Sequence, residues 1–253
     1  MFGLFVHRNG LQVQGFLYVS YKILTLYIRQ KWPKSLSNLE FLFIQQTLNN
    51  ISFSAFPKNI VGIIGENGAG KTTLLRIISQ TVSLDSGNLS VPPKNEIGFQ
   101  FDTNHFPEEL SAENINLFMP YIFKSWDSKK FKDYLDKFEI PETQSIKYFS
   151  KGMKTKIGIA VTLSHHPKLL LLDEVTGGLD PLIRDTVLTI IKEYVKTTSS
   201  IAIMSTHLLD DIIKIADKVI FLHKGSMLLK KDVSDISNTN ELEAELKNIV
   251  ARR

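Results

Sequence analysis

Ile60-Val61-Gly62-Ile63-Ile64 runs straight into Gly65-Glu66-Asn67-Gly68-Ala69-Gly70-Lys71-Thr72, and Thr73-Leu74-Leu75-Arg76-Ile77-Ile78 follows. The first five residues are nearly all apolar, which suits a short strand covered on both faces. Leu74, Leu75, Ile77 and Ile78 then give a helical stripe. The octet between them fits G-x-x-x-x-G-K-[ST] in full, in the strand-turn-helix context that this phosphate-binding loop requires. Its glycines let backbone N–H groups turn inward around phosphate oxygens, and the helix N-terminus adds positive potential. Lys71 is placed for the β- and γ-phosphates and the Thr72 hydroxyl for Mg²⁺, so residues Gly65 to Thr73 are the candidate nucleotide-binding set. The dinucleotide fingerprint G-x-G-x-x-G is excluded, because the order here is G-x-x-G-x-G.

Such a loop needs a metal-side carboxylate at the end of a neighbouring strand. Leu169-Leu170-Leu171-Leu172-Asp173-Glu174 supplies it, with Asp173 for Mg²⁺ and Glu174 as the base for the attacking water. Between the two motifs lies Phe149-Ser150-Lys151-Gly152-Met153-Lys154, where Ser150 reads as the N-cap of a helix running to about Ser164. No acidic residue occurs from Ser145 to Lys168, but Lys147, Lys151, Lys154, Lys156 and Lys168 do. Such a run is commonly a solvated face, although a Ser-capped basic helix start with Gly152 beside it also suits a γ-phosphate.

Outward from these motifs, strand-length apolar runs alternate with helical stretches, the pattern of an α/β domain with a mostly parallel sheet. Strands are expected at Glu96–Phe101 and Ile201–Ser205, and helices over Pro181–Val195 and Leu208–Ala216. Val219–Leu222 and Met227–Leu229 flank a hairpin turn, so an antiparallel β part accompanies the core sheet. Residues Pro107 to about Phe138 read as helical, with Phe118, Tyr121, Ile122, Phe131, Tyr134, Leu135 and Phe138 facing inward. This block interrupts the alternation as an inserted helical subdomain, about 103–165. The expected division is an N-terminal extension over 1–35, an ATPase domain over 36–235 and a solvated helical tail over 236–253.

The 253 residues are 43% hydrophobic and 22% charged, which excludes a disordered or collagen-like chain. With no cysteine, disulfide frameworks, zinc-thiolate sites and thiol nucleophiles are excluded too. The net charge of +4 is mild, so nucleic acid is not the expected partner. Leu11–Ile28 is apolar but interrupted by Gln12, Gln14 and Lys22, short of the roughly 20 residues a spanning helix needs. A cytosolic chain is expected.

Taken together and in order, these motifs resemble the ATP-binding subunits of ABC transporters. FSKGMK is similar to that family's signature, LLLLDE to its Walker B strand, and Gly178-Leu179-Asp180 to its D-loop. Ser205-Thr206-His207 matches the switch histidine after the next strand. The resemblance covers roughly Leu48 to Lys230, and Trp126-Asp127, the Ser150–Lys154 signature and Gly178–Pro181 look most like bacterial antibiotic and peptide exporters. It implies two domains paired head to tail, with each ATP between one P-loop and the other's signature helix. Ser150 and Gly152 would touch the γ-phosphate held by the partner's loop, His207 would hydrogen-bond that phosphate, and Asp180 would reach across the dimer. A separate transmembrane permease would dock on the block between Asp102 and Phe149, placing the chain on the cytoplasmic face of a membrane. The competing reading is a soluble ATP-switched regulatory or nucleic-acid-associated protein, which the basic run permits.

Departures from the family pattern are local. The Q-loop position holds Asp102, a further candidate for Mg²⁺, with Gln100 as its competitor. Lys151 replaces the first signature glycine, and Val175 the usual proline. Phe41 or Phe43 would stack on adenine. His105, His165 and His166 match no family role and read as structural or exposed.

Overall fold

The computed structural model describes residues 48–101 and 106–251. Among them one six-stranded sheet is formed by β1 (Ile60–Ile64), β2 (Ile97–Gln100), β3 (Leu169–Asp173), β4 (Ile201–Thr206), β5 (Lys218–His223) and β6 (Ser226–Asp232), in the order β2-β3-β4-β1-β5-β6. Four of the five neighbouring pairs are parallel, and only β6 runs antiparallel, against β5. The antiparallel part expected from the hairpin is thus a continuation of the main sheet among the described residues. Seven helices accompany it: α1 (Lys71–Ile78), α2 (Ala112–Ile122), α3 (Ser128–Phe138), α4 (Lys151–Ser164), α5 (Pro181–Thr198), α6 (Leu209–Ile215) and α7 (Thr239–Ala251).

Every residue of β1 and β3 is buried, as expected of strands with helices on both faces. Successive side chains point to opposite faces, so each strand feeds two cores. Val61, Ile63, Leu169 and Leu171 pack with Leu74, Leu75 and Ile78 of α1. Ile60, Ile64, Leu170 and Leu172 pack with Ile157 and Leu163 of α4, Leu188 and Ile191 of α5, and Ile212 of α6. Each fully buried Leu or Ile stabilises the fold by about 1.5–3 kcal/mol. Because β1, β3 and β4 run in one direction, Ile64, Asp173 and Thr206 end at one edge of the sheet, with Asp173 and Ile63 both level with Ser205.

Helices α2, α3 and α4 fill the crossover from β2 to β3. The helical pattern of Pro107–Phe138 is realised as two helices, because Asp127 accepts a bond from the Lys130 amide at 2.9 Å and restarts the chain as α3. Phe131, Leu135 and Phe138 form the core expected of them. The inward face of α2 is a correction. Ala112, Ile115 and Met119 are buried, while Phe118 is 54% and Tyr121 82% exposed, beside an exposed Leu117. Residues 112, 115 and 119 share one helical face; 117, 118 and 121 lie on others. The tail is corrected as well: Leu242 and Leu246 of α7 are buried, and Thr239 bonds Asp210 of α6 at 2.7 Å. The readings placed on residues 1–35, Phe41, Phe43, Asp102 and His105 lie outside the described residues.

Candidate functional site

The loop after β1 reaches α1 through Gly70, whose φ of 104° is a left-handed conformation costing an L-residue about 1–2 kcal/mol. No side chain caps α1 and no acid stands in its first turn, which leaves its leading N–H groups without a side-chain acceptor. Lys71 is buried and folds back over the loop. Its ammonium donates to the carbonyls of Gly65 at 2.7 Å and Glu66 at 3.3 Å, and pairs with Glu174 Oε1 at 3.1 Å. The turn after β5 braces the loop from outside, Gly225 N–H donating to Ala69 O at 3.0 Å.

Asp173 closes β3 in full burial and accepts a 2.5 Å bond from the Ser205 hydroxyl. Glu174 follows in the left-handed region at φ 50°, a strained place for a glutamate. Its N–H is held by both Ser205 O, at 3.0 Å, and Ser205 Oγ, at 3.2 Å. That backbone swing turns the carboxylate back toward the loop, where Oε1 meets Lys71 and Oε2 lies 2.7 Å from His207 Nδ1. Four side chains expected from separate stretches, Lys71, Asp173, Glu174 and His207, are therefore brought to one strand edge. This edge lies outside the carboxyl ends of parallel strands, where α/β sheets bind their ligands. Thr72 stands next to Lys71 at the head of α1.

No bond joins Ser150, Gly152 or Asp180 to this cluster among the described residues. Ser150 caps α4, accepting from Met153 N–H at 3.2 Å, and Asp180 caps α5, accepting from Ile183 N–H at 3.0 Å. Gly152 permits close packing of the two helix starts, since a Cβ there would lie 2.8 Å from Ile183 Cδ1. Gln100 is buried against Gly158, its amide donating to Phe101 O at 2.9 Å. Four of the five lysines of the basic run have intramolecular partners: Lys151 donates to Gly177 O, Lys156 to Phe138 O, Lys154 pairs with Glu108 and Lys168 with Glu96. That is the arrangement of a structural surface rather than of a nucleic-acid track.

His165 is buried and His166 exposed. His165 stacks on Phe123 with ring centroids 4.1 Å apart, and burial pushes its imidazole down to about 4. His166 pairs with Asp127 at 3.4 Å. Two sets of polar residues escaped the sequence reading. Ser205 anchors both carboxylate residues, and its only signal was a hydroxyl two positions before His207. Asp211, 1% exposed, accepts from Thr176 Oγ1 at 2.5 Å and from the Arg184 guanidinium, locking the segment after Glu174 to α5 and α6. An acid inside the apolar stripe of α6 was the clue to it.

Residues 48–177 match the family model described as ABC transporter. The chain is similar to the lantibiotic transport ATP-binding protein SrtF of Streptococcus pyogenes, with 30% identity over 82% of this chain and 94% of that protein. It is also similar to the methionine import ATP-binding protein MetN 1 of Staphylococcus epidermidis, with 30% identity over 76% of this chain and 62% of that protein. A solved ATP-binding subunit of an ABC transporter superposes with a TM-score of 0.71 at 25% identity, covering 81% of this chain and 95% of that one.

Proposed function

The chain belongs to the ABC transporter ATP-binding family, an ATP-binding and ATP-hydrolysing subunit, and from that premise we propose how its residues divide the work. The observation that carries the proposal is Glu174, a carboxylate bonded on one side to Lys71 and on the other to His207, directly after Asp173. Lys71 exchanges the Gly65 and Glu66 carbonyls for the β- and γ-phosphates of ATP, in the cradle of Gly65, Glu66, Asn67, Gly68, Ala69, Gly70, Thr72 and Thr73. Its departure frees Glu174, which orients the attacking water and accepts its proton while the bridging oxygen leaves with ADP. His207 holds Glu174 on the other side and bonds the γ-phosphate. Thr72 and Asp173 suit Mg²⁺: among the described residues no group of three acids or imidazoles is placed to hold a metal ion by itself, and a hard cation held by one hydroxyl, one carboxylate and phosphates needs none. Bound there, Mg²⁺ neutralises charge developing on the phosphates.

A second ATP-binding subunit closes each site, presenting Ser150 and Gly152 to the γ-phosphate and Asp180 across the interface. That no bond joins Ser150 or Gly152 to the chain's own Lys71 cluster among the described residues, although Ser150 caps the start of α4, supports this pairing. The membrane partner docks on α2, where Leu117, Phe118 and Tyr121 stand exposed on a helix whose other face is already packed. No described helix is long and apolar enough to cross a membrane, which fits a subunit on the cytoplasmic face that works through a permease. The cargo direction is export of a peptide or antibiotic, a reading supported by the match to SrtF; the match to MetN 1 makes import the competing result.

The deciding test is the solution mass of Glu174→Gln with and without Mg-ATP. A mass that doubles with ATP, together with lost hydrolysis, supports the closed pair. A mass that stays at 28.7 kDa while ATP binds assigns the second site to a sister subunit.

A further inference from the structure

Lys151 occupies the first position of α4, immediately after Ser150, and although the residue is exposed its ammonium has a fixed partner. It donates to the carbonyl of Gly177 at 2.7 Å. Gly177 lies in the segment between Glu174 and Asp180, and its own N–H donates to Glu174 O at 3.0 Å. Gly178, next along, has φ +70°, and a Cβ built on it would lie 2.8 Å from Lys151 Nζ. The backbone there both turns left-handed and leaves room for the ammonium, two demands that glycine alone meets without strain.

We propose that Lys151 is a positioning residue that ties the start of the signature helix to the loop carrying Glu174, and so couples the two nucleotide sites through one chain. This rests on the closed-pair reading above, in which Ser150 faces the partner's nucleotide and Glu174 the chain's own. The route is contiguous: Lys151 Nζ to Gly177 O, Gly177 N–H to Glu174 O, and the Glu174 carboxylate to Lys71 and His207. A hydrogen bond from an ammonium is charge-assisted, and here it joins the start of α4 to the loop that follows Glu174. Movement of α4 toward or away from the partner's phosphate therefore pulls on the Gly177 carbonyl, and through it on the backbone of the reacting glutamate. Spatial continuity alone does not establish coupling, so the readout must be energetic.

The experiment compares Lys151→Met, which keeps the chain length and removes the donor, with Lys151→Arg, which keeps an N–H donor. ATP turnover by the full chain is measured over ATP concentration, with thermal melting as the check on folding. The expected result for Lys151→Met is a kcat lower by about tenfold, a KM within about twofold, and a Hill coefficient reduced toward 1. Lys151→Arg restores most of both kcat and cooperativity. A raised KM with the Hill coefficient intact would overturn the proposal, because it would make Lys151 a direct phosphate ligand. So would an unchanged Lys151→Met, or a Lys151→Arg as weak as Met. Failure of the closed-pair reading itself shows elsewhere, as a Glu174→Gln protein whose mass ignores ATP.

Discussion

The strand edge and the α2–α4 block solve opposite problems. At the edge, charged and strained groups are held by one another: Ser205 anchors Asp173 and Glu174, and Glu174 joins Lys71 to His207. In the block, Phe131, Leu135 and Phe138 are held by burial, and aromatic side chains on α2 are left uncovered. Polar contacts at the edge fix geometry to tenths of an ångström and contribute modestly to stability, whereas apolar burial stabilises strongly without choosing a partner. On the reading proposed above, chemistry and docking are separated by the kind of force that builds each region.

The sharpest way to test that contrast is Phe131→Ala, which empties a fully buried site in α3. It should lower unfolding free energy in denaturant by about 3–5 kcal/mol. Chemistry at the edge should survive at temperatures where the variant stays folded. Ser205→Ala attacks the other region. Losing a bond to a buried carboxylate costs about 1.5–3 kcal/mol, and turnover should fall at least as far as stability while ATP binding, by equilibrium dialysis, persists.

His165 offers a third test, on the block alone. Its folded value of about 4 lies below the ordinary 6.5, so the unfolded chain binds the extra proton between those limits. The contribution is fully present above pH 6.5 and is lost as pH falls toward 4. Stability at pH 5 should be about 2 kcal/mol below that at pH 8, and His165→Phe, which keeps the stack on Phe123, should flatten this part of the profile. The smallest expected stability effect is at Phe118 and Tyr121. Changing both to Ser should leave unfolding within about 0.5 kcal/mol, yet abolish recovery of a permease from solubilised membranes. Equal recovery by the parent and the double variant would remove docking from α2.

Much of the edge was legible because its chemistry is encoded by residues next to one another. Gly65–Thr72 and Asp173-Glu174 each carry their requirement in a few consecutive positions, and the strands before them are all apolar. Ser205 was hidden because a serine in a strand signals nothing until its neighbour strand is known, and the register that sets Ser205 beside Asp173 is a tertiary fact. The same holds for Asp211 and Arg184, which meet across two helices. On α2, apolar residues surround the helix, so its periodicity could not tell Met119, which is buried, from Phe118, which is not. In α7, alternating Glu and Lys suggested full solvation, but two leucines at helical spacing were enough to seat it on α6.

The order of strands has a consequence for how the protein comes off the ribosome. β4 lies between β1 and β3, pairing Ile60 with Ala202 on one side and Leu169 with Ile201 on the other. Until residues 201–206 have been synthesised, β1 and β3 each present an unpaired edge, the feature that makes nascent intermediates stick to one another. The same six residues deliver Ser205 and lead directly to His207. A chain interrupted before β4 therefore has its phosphate loop but neither the Ser205 anchor for Asp173 nor the His207 partner for Glu174, and insertion of that one strand joins β1 to β3 and brings in both residues in a single event.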